Sequence, residues 1–164
     1  MESIHQFLKV ESVRKTEHLY FNLLNFQFFK NSERGQALFF GSPKLLSHVV
    51  AIPYILALEI VFFGKKRHFV KSGERVVGMF VLREKSDTLY ISSLAVAPEY
   101  RRLGIATYIL KYANAWARRL NKKWLELGVS KLNAPALRLY RKFGFAKKEE
   151  RKWSLVLKKD IENP

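Results

Sequence analysis

The clearest periodicity in the chain begins at Ile105. Ile105, Tyr108, Ile109, Tyr112, Ala113, Trp116 and Leu120 recur at helical spacing, with Thr107, Lys111, Asn114 and Arg118 opposite them. That pattern predicts an amphipathic helix packed on a sheet. Before it, residues 67–71 and 75–84 read as two strands joined by a hairpin turn at Ser72-Gly73, and residues 87–97 as a third strand. Three strands in series suggest an antiparallel meander. After the helix, residues 123–129 form a strand with Leu125, Leu127 and Val129 on one face. Asn133, ahead of Ala134-Pro135, is placed to cap a second helix, whose apolar stripe is Ala136, Leu139, Tyr140 and Phe143 and whose end is Gly144. Residues 145–148 and 152–158 make a last pair of strands, with Trp153, Leu155 and Leu157 alternating onto one buried face. Strand–helix–strand crossovers in this order imply some parallel pairing in a mixed α/β sheet.

The first third is less regular. Residues 4–10 suit a strand, and residues 17–29, dense in Leu and Phe, suit a helix without a clean period. Ser42-Pro43 resembles an N-cap and first turn leading toward Ile52. Ten of the 13 phenylalanines precede Val70, which points to a thick apolar wall: core first, a substrate-groove lining second. The most apolar run, residues 49–63, contains Pro53 and Glu59 and is shorter than the roughly 20 residues a spanning helix needs. A buried helix, or a helix followed by a strand, is expected there, and no transmembrane segment. The first ten residues carry Glu2, His5 and Lys9 and lack the apolar segment of a signal peptide.

Composition narrows the chemistry. A chain of 164 residues suits one domain with a real core, and 48% hydrophobic against 27% charged residues is globular. The absence of cysteine removes disulfides, thiolate metal sites and a catalytic thiol, and fits a cytoplasmic location. His5, His18, His48 and His68 lie too far apart for metal-ligand spacing, so no metal is expected. Net charge is +16 and uneven: 13 Lys and Arg against 8 Asp and Glu up to Asp87, then 17 against 6. Such a field attracts nucleic acid, acidic lipid, nucleotide cofactors or acidic protein segments, or is simply a basic surface with no partner.

One segment concentrates the candidate chemistry. V-A-P-E-Y-R-R-L-G-I-A, from Val96 to Ala106, joins strand to helix through Gly104, with Arg101 and Arg102 just before and small Ala106 just after. Free N–H groups in such a turn, added to the positive end of a helix dipole, make a cradle for a diphosphate. Glycine keeps the backbone close to phosphate. The alternative is an ordinary helix start with surface arginines.

The segment from Ser92 to Tyr140 resembles the acetyl-coenzyme A binding core of the GNAT N-acetyltransferase superfamily. S-L-A-V-A-P-E-Y-R-R-L-G-I-A, at 93–106, is similar to its pyrophosphate loop, Q/R-x-x-G-x-G/A. L-G-V-S-K-L-N-A-P-A-L-R-L-Y-R-K-F-G-F, at 127–145, is similar to its second motif. The wording is nearest to protein N-terminal acetyltransferases, ribosomal-protein ones among them. The resemblance implies a GNAT-type mixed, mostly antiparallel sheet flanked by helices in one domain, with residues 67–158 as the acetyl-CoA-binding core and residues 1–66 as acceptor-side helices. It implies that Arg101, Arg102, Leu103, Gly104, Ile105, Ala106 and Thr107 hold the coenzyme's pyrophosphate. Leu94, Ala95 and Val96 would lend backbone groups to the pantetheine arm, with the Val96 N–H polarising the thioester carbonyl. Asn133 would contact the pantetheine, cap its helix, or do both.

Tyr140 matches the family's general acid, and a phenol of pKa about 10 suits a thiolate leaving group. Its alternative role is a plain member of the helix stripe. The general base does not follow the pattern. Relatives often place Glu where this chain has Gly128. Glu126, two residues earlier on the same face, is the candidate, acting at longer range through water, with Glu59, Ser92 and His68 behind it. Leu132 also stands where many relatives carry Asp. The expected reaction is acetyl transfer from acetyl-CoA to a primary amine of a protein or peptide, at an N-terminus or a lysine. The alternatives are a small-molecule amine as acceptor, or a basic RNA- or DNA-binding module with a degenerate acetyltransferase site. Ribosome or nucleic-acid association would use the basic surface.

Overall fold

Seven strands form one sheet in the order β1-β2-β3-β4-β5-β7-β6. They are β1 (Leu8–Ser12), β2 (Lys66–Ser72), β3 (Arg75–Glu84), β4 (Thr88–Val96), β5 (Trp124–Ser130), β6 (Ala146–Glu150) and β7 (Ser154–Asp160). Among the described residues three α-helices accompany them: α1 (His18–Lys30), α2 (Ile105–Arg119) and α3 (Ala134–Lys142). The structure is a computed structural model that describes residues 7–30 and 65–162. The helix start expected at Ser42-Pro43, the apolar run 49–63 and Glu59 lie outside the described residues.

Every neighbouring pair of strands is antiparallel except β4 and β5, which are joined by the α2 crossover and run parallel. The sheet is therefore the mixed, mostly antiparallel one expected, and the β2–β4 meander stands as read. The β2–β3 turn is Gly73-Glu74, with Gly73 at φ +57°.

Alternation along the strands separates two faces. Val70, Phe80, Leu82, Leu89, Ile91, Leu125, Leu127 and Leu157 share one core with Ile105, Ile109, Leu110 and Ala113 of α2 and Tyr140 of α3. On the other face, Phe21 of α1 packs with Phe69, Met79 and Val81. The buried stripe of α2 is rotated from the expected one. Leu110 and Ala117 are buried, whereas Tyr108, Tyr112 and Trp116 are half-buried at the edge of the contact, where the Tyr108 hydroxyl donates to the Leu8 carbonyl at 3.0 Å. Trp153 departs from its expected place: β7 begins only at Ser154, and Trp153 lies in the β6–β7 turn, 68% exposed, with the Lys152 ammonium 5.1 Å from its ring.

His68 is buried at 2% exposure beneath α2, stacked on Phe80 with ring centroids 4.8 Å apart and Tyr112 at 6.0 Å. Burial pushes its pKa down to about 4. Unfolded, the group titrates near 6.5. Stability from the neutral ring is thus fully present above pH 6.5 and is lost as pH falls toward 4, an effect of roughly 3 kcal/mol. Guanidinium unfolding of the wild type should lose that stability between pH 7 and pH 4.5, and His68→Phe should lose clearly less. Parallel pH curves for the two proteins would show that His68 is not the titrating group.

Candidate active site

The site grows out of an interruption in the sheet. Between the pairs Val81↔Ser92 and Met79↔Ala95, β3 offers only Phe80 while β4 offers Ser93 and Leu94. This is a β-bulge, and Ser93 takes φ +52° within it. The parallel β4–β5 pairing spans four residue pairs, Thr88↔Trp124 to Ile91↔Leu127. Beyond them β4 stays with β3, through Gly78↔Val96, and β5 stays with β7, through Gly128↔Val156. A wedge opens at the carboxyl ends of two parallel strands, the usual position for a ligand in such sheets. Leu94, Ala95 and Val96 line its β4 side and are half-buried.

Helix α2 starts against this wedge. Gly78, in mid-strand, lets it come close: a Cβ there would stand 3.3 Å from the Ala95 carbonyl oxygen and 3.3 Å from Ile105 Cγ2. The loop from β4 to α2 holds Arg102 at φ +66° and Gly104 at φ +80°. Gly104 is the N-cap and offers no side chain, so the N–H groups of Ile105, Ala106 and Thr107 have no partner within the helix. The first intrahelical bond runs from the Tyr108 N–H to the Gly104 carbonyl at 2.9 Å. Arg101, Arg102 and Leu103 are exposed beside this opening, and Arg101 Nε donates to the Val96 carbonyl at 3.4 Å. An uncapped helix start, a left-handed glycine and two flanking arginines fit a coenzyme diphosphate.

Helix α3 supplies the expected phenol. The Asn133 side chain accepts from the Ala136 N–H at 3.2 Å, which makes Asn133 the N-cap; it is exposed, as is Leu132. At the other end, Gly144 sits at φ +91°, its N–H donates to the Arg141 carbonyl, and the Phe145 N–H donates to the Tyr140 carbonyl. This is a Schellman motif, and its apolar contact is the Tyr140–Phe145 ring pair, 5.9 Å apart and edge-on. The helix ending therefore also holds Tyr140. The ring is 7% exposed and belongs to the core that includes Ile105, Leu94 and Val96. Burial pushes its phenol up to about 12.

Alternation places Tyr90 and Ser92 of β4, and Glu126 and Gly128 of β5, on the face opposite Leu89, Ile91, Leu125 and Leu127. Glu126 is 3% exposed and accepts from Lys148 Nζ at 2.6 Å, a bond that raises the pKa of the lysine. A Cβ on Gly128 would lie 2.8 Å from the Tyr90 hydroxyl. The space above the glycine thus belongs to a phenol reaching across from the neighbouring strand. Burial raises the Tyr90 pKa, and Arg151 pulls it the other way. Ser92 Oγ is buried with no partner among the described residues. His68 lies on the opposite face of the sheet, under α2, and is not brought to this cluster.

Sequence reasoning missed Tyr90, Lys148, and the contact of Arg101 with the Val96 carbonyl. The available signal was the gap at Gly128, together with strand alternation on the preceding strand.

Comparison with known proteins agrees with this geometry. The acetyltransferase (GNAT) family model matches residues 47–145. That match begins 20 residues before the implied acetyl-CoA-binding core at 67–158. Among solved structures, PaiA N-acetyltransferase from Thermoplasma acidophilum, in complex with coenzyme A, superposes with a TM-score of 0.71 at 16% identity, covering 93% of this chain and 98% of that one. The ribosomal-protein-S18-alanine N-acetyltransferase from Escherichia coli gives a TM-score of 0.66 at 15% identity, covering 94% of each. Streptothricin acetyltransferase from Streptomyces lavendulae is 40% identical over 58 residues, 35% of this chain and 31% of that protein, so the chain matches just under a third of this curated relative's length. With more than half of its length under the family model, and with the bulge, the wedge and the uncapped helix start in place, the chain belongs to the acetyltransferase (GNAT) family.

Proposed function

We propose that the acceptor is a primary amine of a protein or peptide, an N-terminal α-amine or a lysine. The observation that carries this reading is the wedge between β4 and β5, which gives on to an acceptor face built from Tyr90, Ser92, Glu126 and Gly128, with Gly128 exposed to solvent. Structural similarity to a ribosomal-protein-S18-alanine N-acetyltransferase supports it, as does the motif wording. A charge of +16 works against an acceptor bearing several positive charges.

Acetyl-CoA, bound in the wedge, supplies the acetyl group as a thioester. In this proposal Arg101, Arg102, Leu103 and Gly104, with the first-turn N–H groups of Ile105, Ala106 and Thr107, hold the diphosphate. The backbone of Leu94, Ala95 and Val96 holds the pantetheine arm, with Asn133 beside it, and the Val96 N–H stabilises negative charge on the carbonyl oxygen. Tyr140 gives its proton to the departing sulfur. Glu126 takes the proton of the attacking amine through water, with Lys148 balancing its charge.

The stretch shared with streptothricin acetyltransferase favours a second reading, a small-molecule amine as acceptor. One experiment separates the two. Purified protein and acetyl-CoA are offered a panel of peptides with free N-termini, the same peptides blocked at the N-terminus but carrying lysine, and small mono- and polyamines, with products read by mass spectrometry. Acetylated peptides are expected. Acetylation confined to small amines would replace the first reading by the second.

A further inference from the structure

Beside the acceptor face lies a group of cations that the reaction as described does not use. Arg83 and Tyr90 face each other across β3 and β4. Lys85 follows β3 and sets its ammonium 5.0 Å over the Tyr90 ring. Arg151 arrives from the β6–β7 turn, and the four residues line a cavity of about 290 Å³. Arg151 is paired with Glu149 at 2.8 and 3.1 Å. Arg83 and Lys85 have no carboxylate partner among the described residues. Arg83 and Lys85, neither with a carboxylate partner among the described residues, repel each other in the recess, and an entering anion relieves that repulsion. Arginine adds a planar fork matched to a carboxylate.

The recess also connects to the chemistry. Tyr90 forms part of its wall, and the hydroxyl of that same residue lies over Gly128, where β4 and β5 begin to part. An anion among Arg83, Lys85 and Arg151 therefore sits about one tyrosine side chain away from the place where the amine must approach.

We infer that the recess lined by Arg83, Lys85, Tyr90 and Arg151 is a carboxylate subsite of the acceptor site, which selects peptide amines followed closely by acidic residues. This inference rests on the peptide-amine reading above. The carboxylate belongs to a side chain of the peptide; a free amino acid presents the same group and is kept apart by the test.

The test compares Ala-Glu-Glu-Ala amide with Ala-Gln-Gln-Ala amide and Ala-Lys-Lys-Ala amide, and with free glutamate, as acceptors for the full chain at low ionic strength. The acidic peptide is expected to exceed the neutral one in kcat/KM by about tenfold to a hundredfold, the size of one or two charge-assisted hydrogen bonds. The advantage should shrink in 0.5 M salt. Arg83→Gln with Lys85→Gln should bring the ratio close to one, and Arg83→Glu with Lys85→Glu should turn the preference toward the basic peptide. Retained acetyl-CoA binding shows that each variant is folded. Equal use of the three peptides by the wild type overturns the subsite while leaving peptide acetylation standing. Use of free glutamate in preference to every peptide assigns the carboxylate to an amino acid instead and overturns the peptide selection. Should no peptide be acetylated although acetyl-CoA binds, the peptide-amine reading fails, and calorimetry with N-acetyl-Ala-Glu-Glu-Ala amide then decides the recess. Binding to the wild type but not to the Gln variant upholds a carboxylate site, and binding to neither removes it.

Discussion

Acetyl-CoA affinity should fall about a thousandfold in Gly104→Asp, while the folded state survives. Two effects add. Aspartate is a good N-cap, so its carboxylate would accept the first-turn N–H groups that Gly104 now leaves free. It would also set a negative charge at the opening proposed for a diphosphate, which at partly shielded contact costs a few kcal/mol. Gly104→Ala isolates the remaining factor, the strain of a side chain at φ +80°, about 1–2 kcal/mol, and should weaken binding only about tenfold. Calorimetric titration of the three proteins gives the comparison. Equal affinity in wild type and Gly104→Asp would remove the diphosphate from this helix start.

Turnover should drop about a hundredfold to a thousandfold in Tyr140→Phe, within the usual worth of a positioned proton donor, with acetyl-CoA affinity nearly unchanged. Phenylalanine keeps the edge-on contact with Phe145 and the Schellman ending of α3, so the change removes one hydroxyl and little else. The pH profile provides a second, independent readout. A general acid works while it is protonated, and burial holds this phenol up at about 12, so activity should show no alkaline decline from Tyr140 up to pH 10. Equal kcat in the two proteins would leave Tyr140 a packing residue.

The legible parts of this chain are those where one face decides the residue type. Helix α3 has its cap, stripe and terminal glycine all in sequence, at Asn133, Tyr140 and Gly144, and each stands where local rules place it. The strands β3, β4 and β5 alternate or are wholly apolar, and their edges fell within a residue or so. Helix α1 was readable only as a helix. Asn22 and Asn25 are buried in it while Leu19 and Leu23 are exposed, which blurs any amphipathic period. Trp153 misled because alternation continues from β7 into a turn, where the backbone no longer points successive side chains to opposite faces.

The proposed diphosphate cradle can be picked out of the sequence because it is contiguous, from Arg101 to Thr107. The proposed acceptor face cannot. The Tyr90 hydroxyl over Gly128 depends on a parallel register between residues 38 positions apart, and the Glu126–Lys148 pair on the approach of a third strand. No local period encodes either. The vacancy at Gly128 was visible in the sequence; the residue that fills it needed the fold.

The four-pair join between β4 and β5 also bears on the order in which the chain folds. From β2 to β4 the meander closes only short loops, and α3, β6 and β7 are likewise near neighbours in sequence. Contacts of that kind form early, because little chain entropy is lost in closing them. The parallel join waits for α2 to carry the chain back across the sheet, and its few pairs reward that step weakly. The meander is therefore expected to gain structure before the parallel join forms, and the proposed coenzyme wedge to be completed only with that join.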